Sequence, residues 1–293
     1  NSEKKPFRKW LKRPMKRAYK TLFNKIAIAP LAMAVPLMLS ATPHGLVEAQ
    51  PLPLQTLVNP SQVVAQAEGH SIDAKADELL QATSDLLSST EAMSFTAQES
   101  RDVVTSTGVL VQVLHTIEYV IERPNRMWMN VNGDIAERTF WNDGDRFTLF
   151  DRANNIYATE AATGDLTETV ERLRAYDVEM PLAGAANPNL YEQIMEGLQG
   201  AYYTGLSMVN GTPCHHLVMV DEAGDWQLWI RDGDVPVPCR MSLAYKNREG
   251  VPRITTTFTN WNLNPVISSD QFSASIPVGA EQVEFGQPVV IND

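Results

Sequence analysis

From Met93 onward apolar and polar residues alternate along most of the chain, the period-two signature of strands with one buried face. Met93, Phe95 and Ala97 alternate with Ser94, Thr96 and Gln98. The next run is long: Val109, Val111, Val113, His115, Ile117, Tyr119 and Ile121 share one face of a single extended strand. Gln112, Thr116 and Glu118 lie opposite, with Leu114 as an apolar exception, and Arg123-Pro124 ends the strand. Met127, Met129 and Val131 make another face before a hairpin expected at Asn132-Gly133. The meander continues through Thr139-Phe140-Trp141, a turn at Asn142-Asp143-Gly144, Phe147–Phe150 and Ile156–Ala158. Four or five strands finish the chain, over 201–209, 213–220, 226–231, 239–246 and 253–261, with a short edge piece near Val283–Phe285. Asn210-Gly211 predicts a two-residue hairpin turn, which needs positive φ twice. Further turns are expected around Gly224 and Asp232-Gly233.

Three stretches follow the helical period instead. Ser71 is placed to cap a helix whose stripe is Ile72, Ala76, Leu79, Leu80, Thr83, Leu86 and Leu87 and which ends near Ser89. Asp165-Leu166-Thr167-Glu168 has the layout of a capping box, followed by Val170 and Leu173. Asn187-Pro188 offers a cap and a first-turn proline for a helix carrying Leu190, Tyr191, Ile194 and Leu198, with Gly200 at its end. Ten or eleven antiparallel strands and three helices give an α+β, mainly antiparallel fold: an unclosed β-barrel with helices packed on its concave face.

The amino-terminal region changes the picture of where the protein works. Ten of the first 25 residues are Lys or Arg and one is acidic; an apolar run from Ile26 to Ala41, broken by Pro30 and Pro36, follows. A basic segment, a short apolar run and then small residues have the layout of a secretory signal peptide. Residues 1–49 are read so, with Val47-Glu48-Ala49 as the cleavage site; an uncleaved anchor is the alternative. Proline-rich residues 50–70 read as a flexible linker, 71–285 as one domain and 286–293 as a tail. No Cys follows the apolar run to carry a lipid, so a periplasmic or secreted, non-lipidated protein is expected. Without the first 25 residues, 14 of the 24 bases and 34 of the 35 acids remain, a net charge of −20. Such a domain repels phosphate backbones and gains nothing from an anionic membrane surface, which argues against nucleic-acid binding and membrane embedding.

Six runs resemble the LolA/LolB-like lipoprotein-localisation superfamily, and within it a family of predicted periplasmic proteins of unknown function. They are Arg123-Pro124-Asn125-Arg126, Arg138 to Gly144, Asn154 to Thr159, Asn210 to Leu217, Asp225 to Ile230 and Asn260 to Pro265. The resemblance spans roughly residues 71–285. It implies an unclosed barrel whose apolar cavity holds a lipid or lipoprotein acyl chain. An envelope sensor or protein-interaction module without a ligand is the rival, and a hydrolase or metal site using His215 and His216 is third.

The apolar rows give a candidate ligand cavity: Phe95, Val111, Val113, His115, Met127, Met129, Phe147, Leu149, Leu217, Trp226, Leu228, Ile230, Met241, Leu243 and Phe258. Any one of these also serves as ordinary core; together they suit an acyl chain. His115 reads either as a buried histidine with one partner or as a group that orients a lipid head. No acidic pair stands out at an apolar position. Neighbours in a strand point to opposite faces, so His215 and His216 cannot chelate one metal together. One is expected in solvent and the other hydrogen-bonded. No phosphate loop, nucleophile elbow or metalloprotease helix occurs, and no cofactor or catalytic residue is expected. Cys214 and Cys239 are the only cysteines. With strand 226–231 between them they stand nearly 10 Å apart, at about 4.8 Å per strand, beyond the roughly 7 Å that a disulfide spans. Both nevertheless sit at one end of the sheet, so a bridge over the strand end and two separate packing residues stay open.

Overall fold

The computed structural model describes residues 71–285, apart from 106, 176–186, 222–223, 247 and 249. The signal-peptide, linker and tail readings, and their boundaries, lie outside the described residues.

The elements run β1 (Ser71–Ile72), α1 (Ala74–Ser89), β2 (Ala92–Val104), β3 (Leu110–Glu122), β4 (Arg126–Gly133), β5 (Glu137–Asn142), β6 (Arg146–Asp151) and β7 (Ile156–Ala161). Then follow α2 (Leu166–Ala175), α3 (Leu190–Met195), β8 (Leu198–Val209), β9 (Thr212–Asp221), β10 (Gly224–Arg231), β11 (Pro238–Tyr245), β12 (Arg253–Asn262) and β13 (Glu281–Gln282). All strands join one sheet in the order β1-β8-β9-β10-β11-β12-β2-β3-β4-β5-β6-β7-β13. The eleven strands β2 to β12 pair antiparallel, whereas the two-residue β1 and β13 pair parallel to β8 and β7 at opposite edges. The edges do not meet, so the sheet is an unclosed half-barrel.

The face that carries Phe95 and Leu217, here the inner face, is buried by the helices in two clusters. Leu87 of α1 and Leu166, Val170 and Leu173 of α2 pack with Met93, Phe95, Ile117, Tyr119, Ile121, Met127, Met129, Phe140 and Phe147. Ala76, Leu79 and Leu80 of α1 pack with Ala201, Leu217, Met219, Leu228 and Ile230. One helix therefore serves both halves of the sheet. Each large side chain so buried is worth about 1.5–3 kcal/mol.

Local chemistry fixes the helix ends. Arg123 donates from Nη2 to the Leu87 carbonyl (3.0 Å) and from Nε to that of Thr90 (3.1 Å), which satisfies orphan carbonyls at the end of α1. The next residue, Pro124, accepts the Leu166 N–H at 3.1 Å. Asp165 Oδ1 accepts the N–H groups of Thr167 (2.8 Å) and Glu168 (3.1 Å), capping α2.

Several local expectations are corrected. Ile72 lies in β1 and is exposed, and Asp73 rather than Ser71 precedes α1. Asp73 Oδ2 accepts the Tyr203 N–H at 3.0 Å, tying that helix start to β8. Asn187 Oδ1 accepts the Asn189 N–H, so α3 starts at Leu190 and Pro188 stays in the turn before it. Gly200 is not a helix end but pairs with Ser71 inside the sheet. Val109 precedes β3 and is exposed. Asn132 and Gly133 belong to β4, opposite Thr116 and His115. A Cβ at Gly133 would overlap the Leu114 carbonyl and the His115 ring. That glycine serves a close approach, not a turn. Asn210 and Gly211 do form the hairpin, with φ of 49° and 80°.

Candidate functional site

Register places all fifteen candidate cavity residues on the inner face, in rows that cross the strands. One row runs Met219, Trp226, Leu243, Ile254, Arg101, Val113. The next runs Leu217, Leu228, Met241, Thr256, Glu99, His115. Phe95, Val113, Met127, Met129, Phe147, Leu217, Leu228, Ile230 and Phe258 are buried. Val111, Leu149, Trp226, Met241 and Leu243 are only half-buried. The helices thus close much of the face completely, and the strip across β10 to β12 (Trp226, Met241, Leu243, Ile254) is left partly open.

This strip leads to a polar group that alternation along β2 foretells but sequence reading passed over. Glu99 and Arg101 continue the phase of Met93, Phe95 and Ala97, so both point inward. Glu99 is 4% exposed, His115 8% and Thr256 0%. Arg101 Nε donates to Glu99 Oε1 at 3.1 Å. His115 Nδ1 stands 3.7 Å from the same oxygen, too far for a hydrogen bond. Glu99 is thus a single buried acid on the apolar face, paired with a base rather than with a second acid. His115 Nδ1 and Thr256 Oγ1 have no hydrogen-bond partner among the described residues. Each such group costs about 1–3 kcal/mol when buried. Burial, then the Arg101 charge, hold the His115 imidazole below its usual range; Arg138 adds to this and Asp134 opposes it. Nearby, Phe95 stacks on Tyr119 and Trp261, at 4.8 and 4.3 Å between centroids.

His215 and His216 do not share a site. His215, on the inner face, meets Tyr203 Oη at Nδ1 (3.1 Å) and Asp232 Oδ1 at Nε2 (3.0 Å). His216, on the outer face, stacks on Trp229 at 4.3 Å and meets Gln227 Oε1 at 3.0 Å. Both are half-buried, His216 facing outward and His215 hydrogen-bonded on the inner face. Among the described residues no group of three or more His, Cys, Asp or Glu side chains is placed to hold a metal ion.

Cys214 and Cys239 are joined by a disulfide, with Cα atoms 6.8 Å apart. A bulge between Trp229 and Ile230 shifts the pairing from Arg240 to Pro238 and leaves Cys239 as the extra residue. The bulge brings the cysteines nearer than two regular strand spacings allow. With Val209 and Trp229 they form a small separate cluster.

The runs that carry the family resemblance hold turns, bulges and helix ends. Asn142 Oδ1 accepts the Gly144 N–H (3.0 Å), and Asp143 Oδ1 accepts that of Arg146 (2.8 Å). Asn155 and Asn260 have φ of 53° and 55°. Trp261, beside the Asn260 bulge, donates to the Pro238 carbonyl at 2.9 Å. The model of a family described as predicted periplasmic protein (DUF2092) matches residues 76–286. The chain belongs to this family. No curated protein matches it. Its fold is similar to that of an uncharacterized conserved protein from Thermus thermophilus, with 10% identity over 72% of this chain and 99% of that one, at a TM-score of 0.41. The lipoprotein LppX of Mycobacterium tuberculosis is 13% identical over 67% of this chain and 98% of its own, at 0.38. A LolA superfamily protein from Nitrosomonas europaea is 8% identical over 68% and 97%, at 0.37. Among the described residues no helix of this family member is long and apolar enough to cross a membrane.

Proposed function

We propose that this is a periplasmic, non-enzymatic binding protein that holds an apolar chain, a lipid or lipoprotein acyl chain, against the inner face of its sheet. The observation that carries the reading is the half-buried strip Trp226, Met241, Leu243 and Ile254, beside residues on the same face that α1 closes completely. Each methylene laid on such a strip gains about 0.8 kcal/mol. The first 49 residues serve as the signal peptide and 50–70 as a linker to the binding domain. Solvent extraction of the mature protein, purified from the periplasm, tests this. Lipid is expected from the natural protein and much less from a folded Leu243→Asp variant; equal, trace amounts from both would overturn it.

A second reading rests on β8. Strand β1 pairs with it only at Gly200 and Ala201, and further along Leu206 and Met208 are 59% and 66% exposed. An exposed edge with apolar side chains suits an added strand from an envelope partner. Retained partner capture by a Leu243→Asp variant, and its loss in Leu206→Lys, would favour this reading.

A further inference from the structure

Thr256 and His115 flank Glu99 across the inner face, one on each neighbouring strand. Oγ1 of the first and Nδ1 of the second are buried and lack a hydrogen-bond partner among the described residues. The same row continues into Met241, and the adjacent row runs Trp226, Leu243, Ile254 up to Arg101. From Trp226 to Arg101 is three strand spacings, roughly 14 Å. A short apolar track therefore ends at a polar pole.

The charges at that pole select what it takes. Glu99 and Arg101 already pair, at 3.1 Å, so the pole has no net charge while His115 is neutral. A carboxylate or phosphate arriving there would face Glu99; an ammonium would face Arg101 and gain no lone charge to neutralise. An uncharged group that both accepts and donates, or accepts twice, meets the two open positions. Thr256 has a hydroxyl to give, and a neutral imidazole is a donor or an acceptor at Nδ1 according to its tautomer.

We infer that Thr256 and His115, beside the Glu99–Arg101 pair, bind the uncharged polar end (ester, alcohol or amide) of a chain lying along Trp226, Leu243 and Met241. This rests on the apolar-chain reading above and adds which end of the ligand is recognised and by what.

The test uses the mature, delipidated protein loaded with N-phenyl-1-naphthylamine. The dye is displaced by dodecane, methyl laurate, laurate or dodecylammonium, the charged pair below their micelle concentrations. Methyl laurate is expected to displace the dye at roughly tenfold lower concentration than dodecane, the equivalent of one or two net hydrogen bonds. It is also expected to outcompete both charged chains. Thr256→Val keeps the shape of the side chain and removes only the hydroxyl. It should lower the ester-over-alkane preference several-fold and leave dodecane displacement unchanged, and His115→Leu should do the same. Equal displacement by ester and alkane, an unchanged preference in both variants, or a preference for laurate would overturn the inference while leaving the apolar-chain reading intact. No displacement by any of the four would overturn both.

Discussion

Glu99 and His115 face one another across β2 and β3, with Nδ1 3.7 Å from Oε1 and both side chains almost wholly out of water. The pair sits where the apolar face of the half-barrel turns polar. Around His115 the charged groups are Glu99, Arg101, Asp134 and Arg138. Burial and the two arginines outweigh Asp134 and hold its pKa down, and burial does the same for His216. A group whose folded pKa lies below its unfolded value takes up its proton more readily when unfolded. Folding is then weakened as pH falls below the unfolded value, near 6.5. Urea midpoints should therefore decline from pH 7.5 to 5.5, and less steeply in His115→Gln. A midpoint that rises over this interval would contradict the assignment.

Arg123 joins the end of α1 to the end of β3. Arg123→Ala removes two hydrogen bonds from a charged donor and should lower stability by about 2–3 kcal/mol. Arg126→Ala, which removes a surface ion pair with Glu122, should cost under about 1 kcal/mol. Urea denaturation of both variants checks the contrast.

Gly133→Ala introduces a methyl group into the Leu114 carbonyl and the His115 ring. Overlap of this kind costs about 1–3 kcal/mol. Here the neighbour includes backbone, which cannot swing aside, so the upper part of that range is expected from thermal unfolding. Substituting Gly211, which has open space about its Cβ position, should disturb the hairpin through φ alone.

The Cys214–Cys239 bridge closes a loop across 25 positions of sequence. Constraint of the unfolded chain by such a loop corresponds to about 3.5 kcal/mol. The double variant Cys214→Ala, Cys239→Ala should unfold at lower urea by that order, and the natural protein should approach it under reducing conditions.

Much of the fold was legible because alternation in strands is a direct record of which face is buried. The rows through Phe95, Ile117, Met127 and Trp226 are readable in this way. Turn chemistry at Asn210-Gly211 and capping by Asp165 were legible for the same local reason. Glu99 and Arg101 were missed because charges after Gln98 look like the end of a strand. Counting by twos from Phe95 would have placed both inside. The bridge stayed open because a single bulge at Trp229 and Ile230, invisible in the residue types, shortens the span between the cysteines. Nor could the sequence tell that Leu228 is closed by α1 while Trp226 and Leu243 are half-open; that depends on where the helix crosses the sheet.

An apolar chain held on the half-open strip of the inner face should travel with the protein through purification. Native mass spectrometry of the mature protein, taken from the periplasm without detergent, tests it most directly. The expected spectrum shows a complex one lipid heavier than the bare chain, returning to the bare mass after solvent extraction and re-forming with methyl laurate. A bare mass at every stage, with no uptake of added lipid, would contradict it.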